Sequence, residues 1–205
     1  LRGGRILTVN GIPHRIRFDT DATALRAGVR QSLDTDADGI VGLLEVRHRP
    51  DIDPVPLLDR WLREQARGVL QARVTALAPV VGVRPTSIAV RDQQTRWGSA
   101  SKQGSLSFSW RLILAPAFVL DSVVIHELAH LRHDNHGPAF WALAKTHAPR
   151  TDEARRWLRA SRAGSCTAKT AEPATKTSAP ASAHRSIVLS LTPLATWIHP
   201  ASGAA

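Results

Sequence analysis

Apolar and polar positions along this 205-residue chain change period several times, and each change marks an element. In "RILTVNGIPHRIRF" (5–18), short β-prone runs flank Asn10-Gly11, a pair that readily takes the positive φ angles of a tight hairpin. A second hairpin is expected over residues 27–49, turning at "DTDADG". From about residue 56 to 78 the period becomes helical. Leu58, Trp61, Leu62, Gln65, Ala66, Val69, Leu70 and Leu77 recur at the spacing of one buried helix face, and Pro54 and Pro56 open it. Strands are expected at 86–91 and 104–113, joined by the turn-rich "RWGSASKQGS". A helix follows from Pro116 to about Asp134, with shorter ones near 138–147 and 151–160.

After Gly164 the periodicity stops. "SCTAKTAEPATKTSAPASAH" is an Ala, Ser, Thr, Pro and Lys stretch of the kind that cannot bury a core, and disorder is expected there. The apolar run from Ile187 to Leu194 is too short to be a domain. The expected organisation is therefore an N-terminal β-hairpin region (1–53), a main domain (54–162) and a tail (163–205). No internal repeat is visible.

Composition narrows the setting. There is one cysteine, Cys166, so an intramolecular disulfide is excluded. With no visible signal peptide and no apolar run of membrane length, the expected location is the cytoplasm, without membrane association. The chain holds no Met, so Leu1 is expected to be an alternative start or the edge of a truncated chain. Its net charge of +10 comes mostly from Arg, which outnumbers Lys 23 to 4. Such an excess attracts nucleic acid or anionic surfaces, yet the basic residues are dispersed and no nucleic-acid module signature accompanies them. Charge alone names no partner.

Chemistry concentrates in "HELAHLRHDNH" (126–136), which holds four of the nine histidines. On a helix, His126 and His130 lie one turn apart on one face, where both can reach one ion. Glu127 projects beside them and is placed to take a proton from an activated water. A catalytic zinc usually keeps three protein ligands and an open position. His133, about 10.5 Å along the axis from His126, is too far to share its ion. His136 fits better if Asp134-Asn135 ends the helix and turns the chain back, Asn135 being able to accept a left-handed conformation. Glu153 is the alternative third ligand. The HExxH-x5-H spacing equals that of metzincins, but His133 stands at their mid-motif Gly and no Met-turn is possible. A metzincin fold is not expected.

The stretches "RDQQTRWGS" (91–99), "SWRLILAP" (109–116), "VVIHELAHL" (123–131) and "NHGPAFW" (135–141), with "LREQAR" (62–67) and "RRWLR" (155–159), resemble the YgjP-like metal-dependent hydrolases. These are zincin relatives of the WLM and SprT-like proteases. The resemblance covers about residues 57–160. It implies an α+β, zincin-like core with an antiparallel sheet packed on helices, Zn2+ on His126, His130 and His136, and Glu127 as catalytic acid/base. Two departures stand out. Ser122 occupies a position where the family often has Tyr, so positive charge at the site falls to Arg96, Arg111 or His133. The family's basic N-terminal segment is also expected to be missing before residue 5, as in a truncated or short form.

The functional expectation is a zinc-dependent metallopeptidase, its extended substrate lying along the strand near 104–110, with Arg96, Trp97 and Arg111 as substrate-binding residues. The substrate is then a peptide or an anionic small molecule. The alternatives are a nucleotide pyrophosphohydrolase on the same site and a non-enzymatic calcium- or nucleic-acid-binding module. Calcium enters because "DTDADGIVGLLE" (34–45) fits an EF-hand loop, with Asp34, Asp36 and Asp38 at positions 1, 3 and 5, Gly39 at 6 and Glu45 at 12. No partner hand exists, Pro50 truncates the exit helix, and the second half reads as strand. An acidic β-turn is the favoured reading. Trp61, Trp97, Trp110, Trp141 and Trp157 are expected to pack in the core or at its rim, and Cys166 has no His at nucleophile spacing.

Overall fold

The computed structural model describes residues 6–23, 25–33 and 42–163. The expected tail with Cys166, and residues 34–41 of the acidic turn, lie outside them. Asn10 and Gly11 take φ of 51° and 80°, and the hairpin they close joins strands β1 (Ile6–Val9) and β2 (Ile12–Thr20). The second hairpin is also present, as β3 (Gly28–Leu33) and β4 (Gly42–His48). The sheet order is β1-β2-β4-β3, so β4 sits between β2 and β3 and runs parallel to β2. Hydrophobicity explains the insertion. β4 buries Leu44 and Val46 completely, whereas β3 is mostly exposed and suits an edge.

Helix α1 (Pro54–Val81) follows. Asp53 caps it by accepting the Val55 N–H at 3.0 Å, and Gly82, at φ 75°, closes the other end. Leu58, Leu62, Ala66, Leu70, Val74 and Ala78 form its fully buried stripe, one residue every four. Trp61, Val69 and Leu77 pack beside that stripe, and Gln65 is only half-buried. Each large aliphatic side chain so covered contributes about 1.5–3 kcal/mol. This one core also takes side chains from β1, β2, β4 and the remaining elements.

A second sheet comprises β5 (Ser87–Arg91), β6 (Gly98–Ala100) and β7 (Ser105–Ser109) in the order β5-β7-β6. Here β7 runs parallel to β5 and antiparallel to β6. The α+β class is as expected, but both sheets are mixed rather than purely antiparallel. In each, the strand with the most deeply buried side chains takes the centre. The expected strand 104–113 ends at Ser109, and Trp110–Leu114 forms a buried 3₁₀ segment. β6, inside the stretch read as a turn, is the edge strand. The turn between β1 and β2 is tied to the 3₁₀ segment, the Asn10 N–H donating to the Ile113 carbonyl at 2.6 Å.

Helices α2 (Ala117–His130), α3 (Pro138–His147) and α4 (Thr151–Ala163) complete the chain. α2 is buried on most sides, which is why Val123, Val124 and Ile125 are tolerated there despite mediocre helix propensity. Arg73 of α1 grips Asp121 of α2 through two hydrogen bonds of 2.7 Å, Nε to Oδ1 and Nη2 to Oδ2. No described helix is long and apolar enough to cross a membrane.

Candidate metal centre

α2 sets His126 and His130 one turn apart, and both imidazoles face the loop that follows. The helix stops at His130, four residues short of the expected end. Arg132 and His133 N–H groups both turn back to the Ala129 carbonyl at 3.0 Å. Asn135 is not left-handed; Asn10 is the only non-glycine described residue with positive φ. Its side chain does the turning instead, Oδ1 accepting the Gly137 N–H at 3.3 Å. Gly137-Pro138 then starts α3.

This short loop returns His136 to the helix. The imidazole nitrogens of His126, His130 and His136 lie within 4.8 Å of one another. His126 Nε2 and His136 Nε2 are 3.1 Å apart. Zn–N bonds of about 2.0–2.1 Å in a tetrahedron place ligand nitrogens about 3.3–3.4 Å apart, close to the His126–His136 spacing, while the widest pair of the cluster would have to close by up to about 1.4 Å. The ring of His130 is oriented from behind, Nδ1 donating to the His133 carbonyl at 3.2 Å, which leaves Nε2 with its lone pair free. His133 thus contributes its main chain, not its ring. Phe140 packs edge-on against His126 and His136, and Trp141 stacks on His136 at 5.5 Å between centroids.

Burial favours the neutral form of His126 and His130, the form a metal needs. Burial, reinforced by the neighbouring His130, His136 and Arg155, pushes His126 down to about 4. Burial also lowers His130, although its bond to the His133 carbonyl works the other way.

Glu127 is 5% exposed, and burial pushes its carboxyl up to about 7 while the charge of Arg96 opposes the rise. A carboxyl poised near neutrality both takes and returns protons. It can lie so close to β6 only because position 98 is glycine. A Cβ there would stand 2.6 Å from Glu127 Oε1 and 2.8 Å from its Cγ.

The remaining candidates divide. Arg96 and Trp97 line a cavity that also touches His126 and Glu127. Arg111 does not join them. It is 6% exposed and bound to Asp92, the carboxylate that also receives Arg63 and the Trp110 indole N–H. Burial alone would raise Asp92, but those hydrogen bonds and charges outweigh it and hold the carboxyl at about 2. Glu153 is also elsewhere, its two oxygens engaged by Arg150 at 2.6 and 2.8 Å. Glu45, the twelfth position of the calcium-loop pattern, lies in β4 paired with Arg17, and β4 continues where an exit helix would begin. The border of the site is β6, not the strand at 104–110. Gly98, Ser99 and Ala100 line an open groove with His126, Glu127 and His130, while β7 is enclosed between its neighbours.

Comparison with curated proteins gives no match. Among solved structures, the crystal structure of the metallopeptidase zymogen of Pyrococcus abyssi abylysin shares 18% identity over 44% of this chain and 92% of that one, at a TM-score of 0.41. Among known families, the one described as YgjP-like, metallopeptidase domain, matches residues 1–161 and so takes in both sheets and all three histidines. By that match the chain belongs to the YgjP-like metallopeptidase domain family and is a metal-dependent hydrolase.

Proposed function

We propose that His126, His130 and His136 hold one zinc ion and that the protein cleaves peptide bonds with Glu127 as general base. The observation that carries this reading is the convergence of three imidazoles beside one buried carboxyl. Zinc held there would supply a Lewis acid and a water acidified towards neutral pH.

The chain's own contributions follow from its geometry. The Glu127 carboxylate accepts the proton of the attacking water and delivers it to the departing amine nitrogen, the swing in protonation that a carboxyl near 7 favours. Gly98 fixes how closely that carboxylate approaches the groove. The free edge of β6 offers backbone donors and acceptors to an extended peptide, which would add as a further strand beside His126 and Glu127. Arg96 supplies positive charge near the reacting carbonyl.

The test is metal analysis together with turnover by zinc-loaded protein against peptide and nucleotide panels in parallel. One zinc per chain is expected, with hydrolysis of peptides and none of nucleotides. Glu127→Gln should keep the zinc and lose about 10²- to 10⁴-fold in rate. His136→Ala should lose zinc affinity and activity together. Turnover of nucleotides alone would transfer the same centre to phosphoanhydrides. Full activity in Glu127→Gln would remove the base from the scheme.

A further inference from the structure

Beside the histidines, and adjoining the groove along β6 at Gly98, His126 and Glu127, a cavity of about 190 Å³ opens between the start of β6, α2 and α4. That is roughly the volume share of six waters, enough for one extended side chain. Its walls are apolar: Trp97, Val123, Ala154 and Leu158. Two guanidinium groups, Arg96 and Arg155, also line it, and Glu127 borders it as its sole carboxylate.

The polar groups differ in what they have to spare. Ser122 and Thr151 already donate their hydroxyl protons to backbone, to Phe118 at 2.7 Å and Ala148 at 2.6 Å. They offer a guest only acceptor lone pairs. Arg155 is steadied by lying over the Trp141 ring, 4.5 Å from its centroid, and its ion pair with Asp152 is long, at 3.9 Å. Arg96 makes no ion pair within 4.0 Å among the described residues. The donors without committed acceptors are therefore two guanidiniums. A cationic guest would face both of them.

We propose that this cavity is the side-chain subsite adjoining the cleaved bond, and that it selects an acidic residue. Trp97 and Leu158 hold the methylene stem, and Arg155 receives the carboxylate, with Arg96 nearer Glu127 adding positive charge between the two. Glu127 lies at the catalytic end, so the guest carboxylate sits towards Arg155. A planar guanidinium suits a carboxylate through paired N–H donors, which a neutral carboxamide answers only weakly. The proposal rests on the peptidase reading but differs from it in what it requires. α4, which contributes no histidine, becomes the element that sets specificity.

The experiment has a binding arm and a cleavage arm, both on the full chain loaded with zinc. In the first, Glu127→Gln protein is titrated with peptides that differ at one position, Glu, Gln, Leu or Lys, and Trp fluorescence reports occupancy. The Glu peptide should bind at least about tenfold more tightly than its Gln isostere. Adding Arg155→Glu should reverse the order of the Glu and Lys peptides. In the second arm, the parent should cut bonds flanked by Glu or Asp with a kcat/KM at least about tenfold above the amide counterparts. Equal binding of the four peptides, or a preference unmoved by Arg155→Glu, would overturn the subsite. Cleavage without charge preference would also overturn it while leaving the peptidase intact. Selective binding without any cleavage would keep the subsite and defeat the peptidase.

Discussion

His14 and His126 are both drawn into the protein, but their ring nitrogens keep different company. His14, on β2, is fully buried; its Nδ1 lies 2.8 Å from the Ile12 carbonyl and its Nε2 2.8 Å from the Gln31 amide. His48 resembles it, with Arg49 and Thr20 as partners at 2.9 and 3.3 Å. Every polar atom of these rings is answered by the chain itself. At the other site, His126 Nε2 faces His136 Nε2 at 3.1 Å, and His130 turns a lone pair the same way. Of the His126 and His136 rings, one can donate to the other. With all three as acceptors, however, the converging lone pairs suit a cation between them, which lone pairs each answered by the chain do not. Burial and residue type do not separate a ligand from a core histidine. The direction of the second nitrogen does.

The largest effects should fall on metal content. His126→Ala or His130→Ala removes one of three ligands and should weaken zinc binding by more than about 100-fold, beyond the range seen for outer-shell partners. His14→Ala should leave zinc stoichiometry unchanged and reduce stability by about 1–3 kcal/mol, because it empties a fully buried position on β2. Metal analysis and urea unfolding on the same three samples decide the matter. Zinc lost from His14→Ala would erase the distinction between the two sites.

Two glycines allow a finer version of the same comparison. A Cβ on Gly42 would stand 2.1 Å from the His14 ring, and one on Gly98 would stand 2.6 Å from Glu127 Oε1. Both crowd a buried polar side chain, but only Glu127 is proposed to move protons. Gly98→Ala should lower kcat by about 10²-fold through displacement of the carboxylate, with zinc retained. Gly42→Ala should destabilise the fold by about 1–3 kcal/mol and leave kcat unaltered in the folded protein. If Gly98→Ala is fully active, the closeness of Glu127 to β6 has no catalytic meaning.

Sequence alone carried the convergence of the three histidines, because helical spacing and a short return loop are local properties. The α1 stripe and the Asn10-Gly11 hairpin were legible for the same reason. What escaped depends on contacts between distant segments. β6 is three Gly/Ser/Ala residues whose strand character comes from pairing with β7, so its stretch reads as a turn. Arg111 looks like a site residue by its nearness to the motif, yet Asp92 and Trp110 draw it into the core. Asn135 turns the chain through its side chain, a choice its backbone preferences do not reveal. Arg155 and Leu158 reach the cavity only because α4 packs on α2, and nothing local in "RRWLR" announces it. The carbonyl of His133 orients His130, a role that no side-chain pattern encodes.

The smallest effect is in pH dependence, and it separates the two kinds of histidine without touching the metal site. Burial lowers the His14 pKa from its ordinary 6.5, and the hydrogen bond with the Ile12 carbonyl only partly offsets this. Below 6.5 the unfolded chain therefore takes up a proton that the folded chain refuses. With more protons bound in the unfolded state, stability rises with pH. It should accordingly decline as pH falls from 6.5 until the folded His14 itself titrates, and level off beyond. His14→Gln keeps a polar group beside Ile12 but removes the titration, so its stability curve should be flatter over that window. The flattening should be the same with zinc and with a chelator, since His14 contacts no member of the metal cluster. Urea unfolding of parent and variant from pH 7 to 5, in both conditions, measures it. A difference between the two curves that appears only with zinc present would mean that the sheet and the metal centre are energetically coupled, and the two histidine sites would have to be treated as one.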